Sequence, residues 1–137
     1  MTYSSVDEAL QVASSAAAES RSREEAIDYV SERPTPEVID ALIDLLETDD
    51  AGVRWKAADG LAKMGKRALV PLLRALVDKS DSRWLLDGAY HVFHDNRDHD
   101  VAKMTENLRT AMKGSGAAVS TVTAAGELLV KLAGEGA

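Results

Sequence analysis

Two segments of this chain are alike at a separation of about thirty residues. The first is Val53-Arg54-Trp55-Lys56-Ala57-Ala58-Asp59-Gly60-Leu61-Ala62. The second is Arg83-Trp84-Leu85-Leu86-Asp87-Gly88-Ala89-Tyr90-His91-Val92-Phe93. Each carries an Arg-Trp pair, two adjacent small residues and then an apolar pair. Each also follows another apolar helix pattern. Self-similarity at this period marks helical repeats, whose units bury their apolar faces against one another. It constrains shape strongly and task weakly.

The register of the repeat follows from packing. The first helices of the two central pairs align at a spacing of 30, Leu42 with Leu72, Ile43 with Leu73 and Leu46 with Leu76. For the second helices, superposing the Arg-Trp pairs needs a spacing of 29. That places Asp87 on Ala58, an unpaired charge at a core position, which is costly. A spacing of 31 instead matches Ala57-Ala58 with Gly88-Ala89 and Leu61-Ala62 with Val92-Phe93. Small residues are needed where helices approach closely, so 31 is the better register.

The rest of the chain reads as more helices. Ser5-Val6-Asp7-Glu8 and Ser22-Arg23-Glu24-Glu25 both have capping-box spacing. In Pro34-Thr35-Pro36, the first proline stops a helix, Thr35 caps the next and Pro36 suits its first position. Val38, Ile39, Leu42, Ile43, Leu45 and Leu46 give an apolar stripe, and Asp49-Asp50-Ala51-Gly52 a turn. After Gly65 a helix is expected to start near Pro71, because proline is costly in a helix interior. Val101, Met104, Leu108 and Met112 predict one further helix, Gly114-Ser115-Gly116 breaks it, and Ala117 to Leu132 forms the last. The expectation is an all-α domain over residues 1–137, with eight helices in four antiparallel pairs.

Composition agrees. Residues are 45% apolar but only 4% aromatic, so Ala, Leu and Val must build the core. Ala and Leu favour helix. The net charge of −7 argues against nucleic-acid binding, which rests on cations neutralising phosphates, and against anionic lipid. Without cysteine there are no disulfides or thiolate sites. The N-terminus lacks a signal-peptide pattern, and no apolar run is read as approaching the ~20 residues of a membrane span. A soluble cytoplasmic protein is expected.

The central residues resemble HEAT-like repeats of the short bacterial and archaeal type, also seen in phycobilisome lyases. The resemblance is carried by Asp50, Val53-Arg54, Ala57-Ala58, Leu61 and Gly65, followed by Ala68-Leu69-Val70-Pro71-Leu72-Leu73-Arg74-Ala75-Leu76. It covers residues 35–95 best and is weaker over the first 33 residues and the last 40. It implies a right-handed α-solenoid whose second helices line the concave face. It also implies that Asp50 and Arg54 link adjacent repeats. The fold alone serves many unrelated tasks.

The densest polar cluster is Asp87, Tyr90, His91, His94, Asp95, Asp98, His99 and Asp100, which includes all three histidines. Asp87, His91 and His94 share one helix face. His91 matches Gly60 and His94 matches Lys63, both read as concave or solvent-facing. Two imidazoles and a carboxylate could hold zinc or iron, with Asp98 or His99 closing the site. Against this, histidine is favoured near a helix C-terminus and aspartate in turns. HEAT-like di-iron hydroxylases carry His-Glu pairs on several helices, whereas this chain has only His94-Asp95 and His99-Asp100.

Trp55 and Trp84 are expected to pack between repeats, although exposed tryptophan is a common binding hot spot. Lys56, Lys63, Lys66 and Arg67 form a basic patch that reads as a solvated face. The last helix carries only Glu127 and Lys131 as charges. A terminal repeat normally needs a polar outer face, so this helix is a candidate for pairing two copies into a homodimer.

The reading that fits best is a protein-interaction scaffold with no cofactor. A protein or peptide partner would lie on the concave face, against Lys56, Asp59, Lys63, Asp87, Tyr90, His91 and His94. The alternative is a metal-dependent or bilin-lyase-like enzyme using Asp87, His91, His94 and His99.

Overall fold

A computed structural model describes residues 3–79, 81–114 and 116–135. Nine α-helices occur among them, and no strand. In order these are α1 (Val6–Ser14), α2 (Ser20–Ser31), α3 (Pro36–Leu45), α4 (Ala51–Lys63), α5 (Leu69–Lys79), α6 (Arg83–His94), α7 (His99–Met104), α8 (Glu106–Lys113) and α9 (Ala117–Glu135). Ser80 and Ser115, in two of the expected polar turns, lie outside the described residues.

Helix starts are set by side-chain caps. Ser5, Thr35, Asp50 and Ser82 accept from the backbone N–H three residues on, at 3.1, 3.1, 3.1 and 3.3 Å. Each such cap contributes about 1 kcal/mol. The capping box expected at Ser22 does not form, because α2 already begins at Ser20, after Glu19. A 3-10 turn over Gly65–Ala68 leads directly into α5 at Leu69. Pro71 therefore stands in the first turn of α5, where its missing N–H costs little, rather than at its start.

Two rows of helices enclose the core. The first row is α1, α3 and α5, and the second is α2, α4 and α6. Leu42, Leu46, Leu61, Leu72, Leu73, Leu76, Leu85 and Phe93 are fully buried between them, each stabilising by roughly 1.5–3 kcal/mol. Second-row neighbours pack more closely than first-row neighbours do, so the array curves towards the second row. Small residues permit this. A side chain at Gly60 would collide with the Ser31 hydroxyl, and a Cβ at Gly88 would come within 3.0 Å of Leu46. Ala57, Ala58, Gly88 and Ala89 are all buried, as the spacing of 31 requires. Gly60 is buried too, so it is a close-approach position and not the concave or solvent-facing one expected.

Successive repeats are also stitched through their turns. Gly65 has φ +64°, a left-handed conformation suited to glycine where α4 ends. The turn after α6 then reaches back. The Arg97 N–H donates to the Ala62 carbonyl at 2.9 Å, and Asn96 Nδ2 donates to the Gly65 carbonyl at 3.4 Å. Carbonyls left over at the end of α4 are satisfied in this way.

The last unit departs from the expected four regular pairs. The helix predicted over Val101 to Met112 breaks at buried Thr105, whose hydroxyl donates to the Val101 carbonyl at 2.7 Å. A β-branched hydroxyl that competes for backbone acceptors weakens a helix interior. Thereafter α8 packs on α6 and extends the second row, while α9 lies along α5 and α8 and extends the first. The order of the rows is thus exchanged in the terminal pair. Thr121 and Ala125 are the fully buried residues of α9, whereas Val119 and Val130 are 74% and 75% exposed. By length and composition alone, Ala117–Gly134 is apolar enough to cross a membrane, with a mean hydropathy of 1.3 over 18 residues. No run of that length was expected; Ser120, Thr121, Thr123, Glu127 and Lys131 interrupt the apolar residues, and the mean over the window absorbs them.

Candidate functional site

The exchange of rows places α8 beside α6, so α4, α6 and α8 wall a groove on the second-row face. Val53, Ala57, Ala58 and Leu61 occupy the inward stripe of α4, and Leu85, Gly88, Ala89 and Val92 that of α6. What remains points outward. Trp55 from α4, Asp87, Tyr90, His91 and His94 from α6, and Met112 and Lys113 from α8 surround a cavity of about 330 Å³, with Leu86 and Asp95. A smaller cleft of about 130 Å³ adjoins it between Trp55 and Trp84, lined also by Leu46, Gly88, Arg54 and Asp87. Trp55 and Asp87 belong to both.

The tryptophans therefore touch the neighbouring repeat but are not buried between repeats as expected. Trp55 is 48% exposed and Trp84 41%. Each stands off the inward stripe of its helix. Trp55 meets His91 in a T-shaped contact at 5.5 Å, and the Arg54 guanidinium lies 4.3 Å above the Trp84 ring. Tyr90 stacks on His94 at 5.8 Å.

Charges in the groove are paired in a definite order. His91 Nε2 lies 2.7 Å from Asp59 Oδ1, and its Nδ1 lies 3.0 Å from Asp95 Oδ2. His94 Nδ1 lies 2.7 Å from the other oxygen of Asp95. That hydrogen bond, with the nearby His91 charge, holds the Asp95 carboxyl below its ordinary value of 3.8. At the α8 side, Lys113 Nζ is 4.5 Å from the Tyr90 ring centroid. Lys113 chiefly, and Arg109 secondarily, hold the Tyr90 phenol below its ordinary 10.0.

Of the residues proposed from sequence, Asp59, Asp87, Tyr90, His91 and His94 are brought together. Lys63 lies at the groove's end, lining a shallow cleft with Asp59, His91, Asp95 and Arg97. Lys56 turns instead to Asp28 of α2 at 3.1 Å. The candidate metal set of His91, His94 and His99 is not assembled. Among the described residues, no three His, Asp or Glu side chains are arranged to hold a metal ion. Asp59 and Asp95 take both nitrogens of His91. Asp98 caps α7 by accepting from the Asp100 N–H at 2.9 Å, with His99 the first residue of that helix.

The basic patch is dispersed as well, since Lys56 pairs with Asp28 and Lys66 approaches Asp100 at 3.8 Å. Asp50 and Arg54 each reach an adjacent unit rather than one another. Asp50 accepts from the Ser20 hydroxyl of α2. Arg54 donates to the Thr48 carbonyl at 2.7 Å and covers Trp84 of α6.

Sequence reasoning missed several residues. Arg23, buried in α2, donates to the Ala13 carbonyl at 3.0 Å and to the Thr48 hydroxyl at 3.2 Å. It stands 31 residues before Arg54, so extending the same step would have found it. Met112 and Lys113 carried no local signal, because only the exchanged rows bring them to the groove.

No curated protein and no solved structure gives a significant match to the chain. The family of HEAT repeats matches residues 6–92. The match takes in much of the first 33 residues, where the resemblance was weaker. HEAT repeats commonly serve as protein-interaction scaffolds. Taken with the two helix rows and their spacing of 31, the match shows that this chain belongs to the HEAT-repeat family.

Proposed function

We propose that the chain is a non-enzymatic interaction module that binds an extended segment of a protein partner in the groove between α4, α6 and α8. The observation that carries this reading is the exposure of Trp55 beside Tyr90 across one continuous cavity. Large aromatic side chains offer much contact area at little entropy cost, and they dominate binding hot spots. The inward stripe of α4 is complete without Trp55, so folding does not account for that ring; Tyr90, partly buried against the core, lines the cavity beside it.

The test is to pan a phage-displayed library of random nonapeptides against the intact protein. Wild type is expected to enrich a common motif. The double variant Trp55→Ala/Tyr90→Ala is expected to lose that enrichment while keeping its helical circular dichroism. A library that enriches nothing on wild type, or enriches equally on the double variant, rules the groove out as a peptide site.

A further inference from the structure

We infer that the segment bound in this groove is anchored by one basic side chain, arginine or lysine, held on the Asp87 carboxylate beside Trp55. The inference rests on the peptide-binding reading and adds the chemistry of the partner.

Asp87 and Asp95 line the groove and Asp59 lies at its end, and two of these three carboxylates are already committed. Asp59 pairs with His91, and Asp95 pairs with both His91 and His94. Asp87 is exposed and has no hydrogen-bond or ion-pair partner among the described residues. It sits on the wall shared by the cavity and the adjoining cleft. Arg54, the cation that shares the adjoining cleft with Asp87, is engaged by the Thr48 carbonyl and the Trp84 ring and makes no ion pair with it, so the carboxylate leaves a charge for a ligand to satisfy.

Its neighbours favour a cation. Trp55, Trp84 and Tyr90 stand around Asp87, and aromatic faces attract ammonium and guanidinium groups. The protein itself provides a precedent, since Arg54 already lies 4.3 Å over the Trp84 ring. Trp55 remains 48% exposed after its contact with His91. A guanidinium there could form charge-assisted hydrogen bonds with Asp87 while stacking on the indole.

The groove already carries a cation of its own, which limits the anchor to one. Lys113 stands at the α8 side, 4.5 Å from the Tyr90 ring, and would repel a second cation placed beyond Tyr90. A run of consecutive lysines fits poorly, whereas a single basic residue among apolar and neutral ones fits well. The chain's net charge of −7 favours encounter with such a segment.

The same nonapeptide library supplies the test, with Asp87→Asn and Asp87→Lys panned beside wild type. Arginine or lysine is expected to be enriched at one fixed position on wild type. Asp87→Asn is expected to lose that preference and to bind the selected peptide about tenfold or more weakly. Asp87→Lys is expected to turn the preference towards aspartate or glutamate. Circular dichroism should be unchanged for both variants, since Asp87 has no described partner to lose. A wild-type motif without a basic position, or one that Asp87→Asn leaves intact, overturns the anchor. The peptide-binding reading survives that result if Trp55→Ala/Tyr90→Ala still abolishes enrichment. No enrichment on wild type overturns both.

Discussion

Helices α4 and α6 hold the same place in successive repeats, and comparing them separates scaffold from site. At four inward positions the change is at most one of size: Ala57 to Gly88, Ala58 to Ala89, Leu61 to Val92, Ala62 to Phe93; only the first turn departs, where Val53 is matched by Trp84 and Arg54 by Leu85. At their outward positions the chemistry changes: Lys56 to Asp87, Asp59 to Tyr90 and Lys63 to His94; the buried Gly60 also gives way to the half-buried His91. The α2 helix supports the same division, with Arg23 standing where Arg54 does and Ala26-Ile27 where Ala57-Ala58 do. Inward residues answer to packing, which tolerates little beyond volume. Outward residues are free of that demand, and the groove is built from them.

The sharpest way to break this comparison is at Phe93. It is fully buried, while its counterpart Ala62 is already small. Phe93→Ala should cost about 3–5 kcal/mol, against ~1 kcal/mol for Ala62→Gly from helix propensity. Urea unfolding measures both. A loss at Phe93 no larger than that at Ala62 would show that the Phe93 ring is not packed in the core.

Next comes the position held by Arg23, Arg54 and Leu85. Replacing arginine with the leucine that α6 carries should be costlier in α2 than in α4. Arg23 is 5% exposed, and its loss leaves the Ala13 carbonyl and Thr48 hydroxyl without their partner. Arg23→Leu is expected to lose about 2–3 kcal/mol and Arg54→Leu about 1 kcal/mol, again by urea unfolding. The reverse order would show that the Arg54–Trp84 contact, not the turn, carries the link between repeats.

The smallest effect belongs to the charged rim. The pairing of Asp95 with His94 and His91 depresses its folded pKa. Its contribution to stability is therefore fully present above the ordinary value of 3.8, and is lost as pH falls through the lower folded value. Asp50 is lowered too, chiefly by the Ser20 hydroxyl, and acts in the same window. Asp95→Asn should thus reduce, without abolishing, the fall of Tm with acid below that value. The side chain is largely exposed, so its Tm at neutral pH should change little. A variant whose acid limb matches wild type would show that the His91–Asp95–His94 cluster is not formed in solution.

Much of this was legible in the sequence, and the reasons are physical. Ser5, Thr35, Asp50 and Ser82 announce helix starts because capping acts within three residues. Ala57-Ala58 and Gly88-Ala89 disclose the register because close helix approach excludes larger side chains. The grouping of Asp87, Tyr90, His91 and His94 follows from helical spacing alone. Trp55 and Trp84 were misread because size and hydrophobicity suggest burial, whereas the inward stripes beside them were already complete. The break at Thr105 was hidden by an apolar pattern that runs on through Met112.

What the sequence by itself determined is the repeat: its helices, caps, step of 31 and inward residues, all set by interactions within a turn or two of helix. Only the tertiary structure decided the groove. The exchange of rows in the last unit depends on which helix α9 covers, a contact with α5 that lies far along the chain and has no local signature. That exchange carries Lys113 to Tyr90 and makes α8 a third wall. Likewise, only packing commits Asp59 and Asp95 to His91 and leaves Asp87 unpaired. A carboxylate's partners are fixed by three-dimensional proximity, which spacing along the chain does not encode.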